Sequence, residues 1–547
     1  MPNLSQMKRK RMLEFFEKIK EEHKNDDEML IALGEIENEL NSKKYGLVWE
    51  EHEEKVDAQM RTHIPVFTEV KERGISAAPG KPYNFLLEGD NLHSLYLLEK
   101  THKGKIDVIY IDPPYNTGNK DFVYEDKFVD KIDSYIHSKW CSFISERLEI
   151  AHRLLSNRGL IFISIDDNEY ANLKLVCDSI FGEENFVTTC VWQKIHSIKN
   201  DAKYLSVNHD YLLIYAKKIE AIKIHLLERT DEMNSRYKNP DNDPRGVWQS
   251  GDLVANETRA NGNYDVIGPT GKIFNVPIGK HWVYSEENMK ELIAENKVWF
   301  GKNGTSFPRK KRFLFEVQQG RTPDTWWRNE EVGHNQEGAR DLKKVLGSVL
   351  FNNPKPIRLI NRILEIASYG DSIVLDFFAG SGTTAQAVLE YNKLRETNLS
   401  YILCTNNENG ICDNVTYPRI KTVITGKRAD GSSYSDGIPA NLKYYRTDFV
   451  SRGEEFLSDA LLEHVAEMIQ LEHGVKIDGS QYRMIMSDTE ADELQKHIKE
   501  QGVIKALYVS KNVLLTTEQL NVFEGIEIHI IPDDYFRFEL KEEGQAW

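Results

Sequence analysis

The chain is predicted to fold as an α/β protein around a doubly wound, largely parallel sheet, and three observations carry that reading. Strand-length apolar runs alternate with helix-length amphipathic stretches, the pattern of strands joined by crossover helices. Two of the runs, Ile106-Asp107-Val108-Ile109-Tyr110-Ile111 and Ser372-Ile373-Val374-Leu375-Asp376-Phe377-Phe378, are apolar enough to be central strands covered on both faces. Each ends abruptly: Asp112-Pro113-Pro114-Tyr115 follows the first, and Ala379-Gly380-Ser381-Gly382-Thr383-Thr384 follows the second and opens a helix. Open α/β sheets bind ligands at such carboxyl ends.

Taken in order, residues 1–75 are charged, with apolar residues at helical spacing (Met12, Phe15, Phe16, Ile19; Leu30, Ile31, Leu33, Ile36, Leu40), and are read as a helical extension. Its Lys8-Arg9-Lys10-Arg11 run is read as a solvated helix face. Residues 76–219 supply strands near 85–87, 108–111, 160–165 and 211–215. A helix over 134–155 is marked by Ile136, Trp140, Phe143, Ile144, Leu148, Ala151 and Leu155. Residues 220–345 break the rhythm with aromatics, basic side chains and Gly/Asn/Pro turns. The sheet resumes over 346–425 with a helix at 357–368, the strand before Asp376 and a strand at 401–404. A Gly/Ser/Asp-rich loop at 426–440 then introduces a C-terminal α/β region, 426–547, with strands near 506–509 and 526–531 and a helix at 516–523.

A chain of 547 residues has room for two or three structural units. Its net charge of −16 argues against holding a polyanion by bulk attraction, so any nucleic-acid contact must come from local basic surface. The five cysteines (Cys141, Cys177, Cys190, Cys404, Cys412) form no C-x-x-C pair or Cys/His group at zinc spacing, and none follows a proline; no metal site is expected. No G-x-x-x-x-G-K-[ST] loop occurs, which leaves nucleoside-triphosphate hydrolysis unsupported. No apolar stretch is long enough for a signal peptide or membrane span, and a cytoplasmic protein without a membrane partner is expected. Pro532-Asp533 with Glu539-Leu540-Lys541 imitates a nuclease metal motif, but the short spacing favours chance; Asp166-Asp167 reads as a helix start.

Together, the Asp112 to Tyr115 and Phe378 to Gly382 motifs resemble those of the amino-methylating DNA methyltransferases. The proline motif preceding the glycine motif is similar to their circularly permuted β-class arrangement. Longer segments resemble the modification subunits of type III restriction systems: Asp112-Pro113-Pro114-Tyr115-Asn116-Thr117-Gly118, Asn353-Pro354-Lys355-Pro356 and Asn441-Leu442-Lys443-Tyr444-Tyr445-Arg446-Thr447-Asp448-Phe449-Val450. The resemblance implies a Rossmann-like, S-adenosylmethionine-dependent sheet with an inserted target-recognition domain, here residues 220–345. It also implies transfer of methyl to adenine N6 of double-stranded DNA, a homodimer, and cleavage left to a separate ATP-dependent restriction subunit. Cytosine-N4 methylation, or a specificity module that recruits a restriction subunit, are the alternatives.

For residues, the resemblance implies that Asp112 and the Pro113 carbonyl accept the two N6 hydrogens, with Pro114 fixing the turn and Tyr115 stacking on the extruded base. Asn116 and Thr117 either orient that loop or simply form the turn. Asp376 is expected near the cofactor's methionine ammonium, with Phe378, Gly380, Gly382 and Thr383 as pocket wall, and Lys355 and Pro356 near its carboxylate. Asp90, expected to end the strand beside the catalytic one, is either an acceptor for the cofactor's adenine amine or a helix N-cap. Glu408 is the candidate for the ribose hydroxyls, since Cys404-Thr405-Asn406-Asn407 puts no acid directly at that strand end. Arg309, Lys310, Lys311 and Arg312 are the candidate DNA-phosphate contacts.

Overall fold

The computed structural model describes residues 52–118, 135–197, 203–348, 351–500 and 502–545, with scattered positions between 13 and 49 and between 123 and 128. The Lys8-Arg9-Lys10-Arg11 run, Met12, Ile36 and Leu40 lie outside the described residues. The chain divides into two compact units, one made of 1–222 with 325–547 and the other of 223–324.

The first unit is built on an eleven-stranded sheet. Ten of its strands are labelled here: β1 (His63–Glu69), β2 (Tyr83–Glu88), β3 (Ile106–Ile111), β4 (Leu155–Ile165), β5 (Phe186–Gln193), β6 (His209–Ala216), β7 (Trp326–Trp327), β8 (Ile373–Asp376), β9 (Ser400–Thr405) and β10 (Asn441–Ser451). Their spatial order is β1-β10-β2-β9-β8-β3-β4-β6-β5-β7, with the short Ile75–Ser76 strand paired to β10. From β10 to β4 every pairing is parallel, whereas β6 runs antiparallel to both β4 and β5. All six residues of β3 are buried, which explains why its sequence lacks the alternation of a half-exposed strand.

In the middle of this sheet β8 and β3 lie side by side, Val374 opposite Val108 and Leu375 opposite Ile109. The helix after β8, Thr383–Arg395, leads to β9 on one side; the helix after β3, Ile136–Leu154, leads to β4 on the other. Strand order therefore reverses between β8 and β3, and that reversal opens a crevice at their carboxyl ends. Helices Asn91–His102, Ile136–Leu154 and Tyr170–Phe181 bury Leu95, Leu98, Ile144, Leu148 and Val176 with Ile109, Ile111, Ile161 and Ile163 of the sheet.

Two expectations need correction. The strand before Asp90 does not adjoin the catalytic strand: β2 is separated from β3 by β9 and β8. Sequence proximity of β2 to β3 misled, because the connecting helix carries the chain past two strands that arrive much later. The expected boundaries also shift. The inserted unit is 223–324 and not 220–345, and β1 and β10, expected in terminal extensions, are strands of the main sheet. β10 pairs with β2 from Asn441 to Arg446 and with β1 from Tyr445 to Ser451, and its buried Lys443 reaches Glu69 at 2.7 Å.

The second unit has a three-stranded antiparallel sheet with Arg309–Phe313 between Trp248–Gly251 and Val298–Trp299. Two short antiparallel strand pairs and the Glu286–Ala294 helix enclose a core of Leu253, Val266, Phe274, Trp282, Met289 and Phe300. Beyond β10, a parallel sheet of Tyr482–Ile485, Ala506–Ser510 and Glu527–Ile531 confirms the expected C-terminal α/β pattern.

Candidate active site

Asp112 leaves β3 directly into the crevice. Its loop is fixed from both sides. The buried Trp140 indole donates to the Pro114 carbonyl at 2.8 Å. Asn116, in the left-handed region at φ 58, donates through Nδ2 to Glu169 Oε1 at 2.5 Å and to the Ile136 carbonyl at 3.2 Å. Glu169 is fully buried, and His137 also contacts its Oε1 at 2.6 Å. Asn116 is thus the pin of the loop. An Asn tolerates this backbone where most residues would be strained.

The two oxygens of Asp112 have different fates. Oδ2 accepts from Lys355 Nζ at 2.5 Å, whereas Oδ1 is buried with no hydrogen-bond partner among the described residues. A buried carboxylate oxygen left unmatched is costly unless a ligand donor completes it. Lys355, expected to await a cofactor carboxylate, is instead drawn to Asp112. Its ammonium also lies 5.2 Å from the Tyr115 ring centre and 5.9 Å from that of Trp192. Tyr115 is further bordered by Asp210, whose Oδ2 is 3.5 Å from its hydroxyl and whose Oδ1 takes Lys194 at 2.5 Å. Burial first, then the Asp112 and Asp210 charges, push the Tyr115 phenol well above its usual range, so it stays a neutral ring.

The glycine turn after β8 is tied down by Asp376, which faces the turn and not the cavity. Its Oδ1 accepts the Phe378 amide at 3.0 Å and its Oδ2 the Thr384 hydroxyl at 2.5 Å. Asp376 is buried beneath the turn and is not among the residues lining the cavity, where an ammonium partner was expected. Burial pushes this carboxyl up to about 7 against those two hydrogen bonds. Gly380 (φ 47) and Gly382 (φ 73) carry the turn, and a Cβ on Gly382 would press Thr416 Cγ2 at 3.3 Å. Thr383 donates to the Lys355 carbonyl at 3.2 Å and receives the buried Arg419 guanidinium at 2.7 Å. Pro356 is the N-cap of helix Ile357–Ala367.

A cavity of about 440 Å³ opens between these elements. Asp112, Pro113 and Pro114 form one end, Phe377, Phe378 and Gly380 the floor, and Phe143 and Phe351 add two further aromatic walls. Asp90, Thr405, Asn406 and Glu408 supply the polar lining at the other end. Asp90 is the helix N-cap, its Oδ1 accepting the Leu92 amide at 2.8 Å, and the residue also lines the cavity. Glu408 sits just beyond β9 on a loop held by Asn407, whose amide bonds Glu88 and Asp413. Aromatic walls, four acidic side chains (Glu54, Asp90, Asp112 and Glu408) and a glycine floor fit a nucleoside-bearing cation such as S-adenosylmethionine, and the volume lies in the range of small-molecule sites.

Two lining residues, Glu54 and Asn91, and the arginine behind them escaped sequence reasoning. The fully buried Arg147 bonds Glu54 through both terminal nitrogens (2.6 and 3.2 Å), Asn91 at 2.6 Å and Asp90 at 3.4 Å; Asn91 in turn donates to the Phe377 carbonyl at 2.8 Å. Against the penalty of burial, Asp90 and Glu54 keep the guanidinium firmly charged. The signal was present: Arg147 falls on the apolar stripe of its helix with Trp140, Phe143 and Ala151, where an unpaired charge would not be tolerated.

In the second unit the basic run divides. Arg309 pairs with Asp252, Lys310 donates to the Tyr284 hydroxyl at 2.5 Å, and Arg312 is exposed. Lys311 is fully buried, bonded to Asp241 and 2.9 Å from Asp243 Oδ2, so it is removed from the candidate phosphate contacts. Strand alternation turns Lys311 and Phe313 inward while Arg312 points out. The nuclease-like Glu539 is likewise committed, buried on Lys100 and the Tyr96 hydroxyl.

Residues 106–413 match the DNA methylase family. The StyLTI Mod subunit, a type III restriction-modification enzyme of Salmonella typhimurium, is 34% identical over 69% of this chain and 62% of its own length. The type II methyltransferase M.KpnI of Klebsiella pneumoniae is 32% identical over 66% of this chain and 87% of its own. The chain spans less than two thirds of the length of the type III modification subunits it matches. Among solved structures, the cytosine-N4-specific PvuII DNA methyltransferase overlaps 63% of this chain and 93% of its own at 11% identity, with a TM-score of 0.33.

Proposed function

The chain belongs to the DNA methylase family, and on that premise we propose that it methylates adenine N6 in double-stranded DNA, using S-adenosylmethionine, as the modification subunit of a type III restriction-modification system. The observation that carries the reading is the buried, unmatched Oδ1 of Asp112 at one end of an aromatic-walled cavity. An exocyclic amine is a weak nucleophile because its lone pair is delocalised into the ring. Accepting one N–H on Asp112 Oδ1 and the other on the Pro113 carbonyl holds the nitrogen in a geometry that exposes the lone pair. The Pro114 carbonyl is already taken by Trp140, so the loop keeps one orientation while the base is held.

When bound, S-adenosylmethionine supplies an electrophilic methyl group whose sulfonium leaves as a neutral thioether. Phe377, Phe378 and Gly380 would wall it, with Asp90 and Glu408 offering acceptors to its adenosine end. Transfer joins nitrogen to the methyl carbon and leaves an extra proton on nitrogen, which passes to Asp112 and on to water. Tyr115, neutral and rimmed by Lys355, gives the extruded base a stacking face. The partners of this reading are duplex DNA, a second copy of the chain and a separate ATP-dependent restriction subunit.

Nucleoside mass spectrometry of DNA treated with the purified protein and cofactor tests it: N6-methyladenine is expected. Asp112→Ala is expected to lower turnover by roughly a thousandfold or more while S-adenosylhomocysteine still binds, because the residue touches the amine. N4-methylcytosine as the sole product refutes the adenine assignment.

A further inference from the structure

We propose that Lys355 is the positioning residue of Asp112, holding Oδ2 so that Oδ1 is presented to the target amine; this rests on the methyltransferase reading above. The resemblance alone points elsewhere, to a lysine that waits for the carboxylate of the cofactor. The geometry favours the catalytic carboxylate: Nζ lies 2.5 Å from Asp112 Oδ2, and the lysine side chain is only 11% exposed.

The lysine is held at both ends. Its carbonyl accepts from Thr383, which is itself gripped by Arg419. The preceding Pro354 carbonyl is pressed so closely on helix Asn335–Leu346 that a Cβ on Gly338 would come within 2.0 Å of it. With its backbone clamped, Lys355 has little freedom to swing. Its ammonium is enclosed by Asp112, the Tyr115 ring and the Trp192 ring. A carboxylate with neither oxygen bound rotates between two equivalent acceptors. Fixing one by a charge-assisted bond leaves a single acceptor with a set direction. The same contact ties the strand that carries the base-side loop to the segment packed on the glycine turn, so base and cofactor halves share one ion pair.

The test is Lys355→Met and, should that variant fail to fold, Lys355→Gln, assayed for kcat at saturating cofactor and for S-adenosylhomocysteine affinity by calorimetry. Loss of the fixed acceptor is expected to lower kcat by about 100-fold, the scale of a small misplacement of a reacting group, with affinity changed less than about twofold. In an Asp112→Asn background, where the ion pair is already gone, Lys355→Met is expected to cost less than about threefold, the signature of two residues acting as one. An affinity loss of tenfold or more, an unchanged kcat, or fully additive losses in the double variant each overturn the proposal. A wild-type protein that methylates no adenine defeats the underlying reading instead, so the two failures are distinguishable.

Discussion

Replacing Lys311 with methionine keeps the length and apolar stem of the side chain and removes only its charge. In the native unit the ammonium is fully buried between Asp241 and Asp243. Asp243 would keep Arg245, whose Nη2 is 2.8 Å from Oδ2 and which, ahead of Lys311, holds that carboxyl well below the usual range. Asp241 would keep the Trp248 indole at 2.9 Å. Removing one partner of a buried pair costs about 3–5 kcal/mol; with Arg245 still in place the low end, about 3 kcal/mol, is expected. For a unit of about a hundred residues, whose unfolding entropy is roughly 0.2 kcal/mol/K, this lowers its melting midpoint by on the order of 10–20 °C. Arg312→Ala, on an exposed position of the same strand, should shift stability by less than about 0.5 kcal/mol. Hydrogen exchange followed by mass spectrometry on peptides from 223–324 reads the unit apart from the rest of the chain. DNA affinity across a salt series, measured below the lowered midpoint, reads the interface: Lys311→Met should leave the slope unchanged, whereas loss of a phosphate contact at Arg312 should reduce it by about one. A Lys311→Met protein as stable as wild type, or one with intact fold and a reduced salt slope, would refute the reasoning. Neutralising the whole run at once would confuse unfolding with lost contact.

Two further outcomes follow from the glycine turn and its neighbour. Asp376 is raised by burial to about 7, so between about pH 4 and 7 the folded state holds a proton that the unfolded chain has lost, and stability falls as pH rises through that window. Asp376→Asn should abolish this decline, worth about 2–4 kcal/mol, and parallel pH profiles of denaturation midpoint for the two proteins would refute it. Gly338→Ala should displace the 354–355 backbone, lowering kcat more than S-adenosylhomocysteine affinity although position 338 touches neither ligand; equal losses in both would show that the helix supports the site only generally.

The centre of the fold was legible because central parallel strands write themselves as apolar runs. β3, β4, β6, β8 and β9 and the helix Ile136–Leu154 were all located. β1, β5 and β10 were not identified as sheet members. Membership is decided by partners distant in the chain, and Asn441-Leu442-Lys443-Tyr444-Tyr445, with its charged and polar residues, reads as a surface segment until Glu69 appears beside Lys443. At the site, the Asp112 and Gly380 turns were visible as motifs, and the cavity unites them with Asp90 and Glu408. What a motif does not encode is direction. Asp376 turns under its loop, Lys355 reaches across to Asp112, and Lys311 turns inward, each chosen by a partner that one-dimensional spacing does not reveal.

The two strands that frame the crevice, β3 and β8, are neighbours in space yet separated in the chain by the entire 223–324 unit and four intervening sheet strands. During synthesis β3 therefore emerges long before the strand it must pair with, and until β8 arrives it presents an unmatched row of backbone donors and acceptors on a wholly apolar segment. Non-local pairing of this kind makes for slow folding and an aggregation-prone interval. The compact 223–324 unit, whose two ends meet at the antiparallel Leu227–Arg321 bridge, shortens that interval once formed, because it replaces a long loop with a short tether that draws the late strand toward the early one.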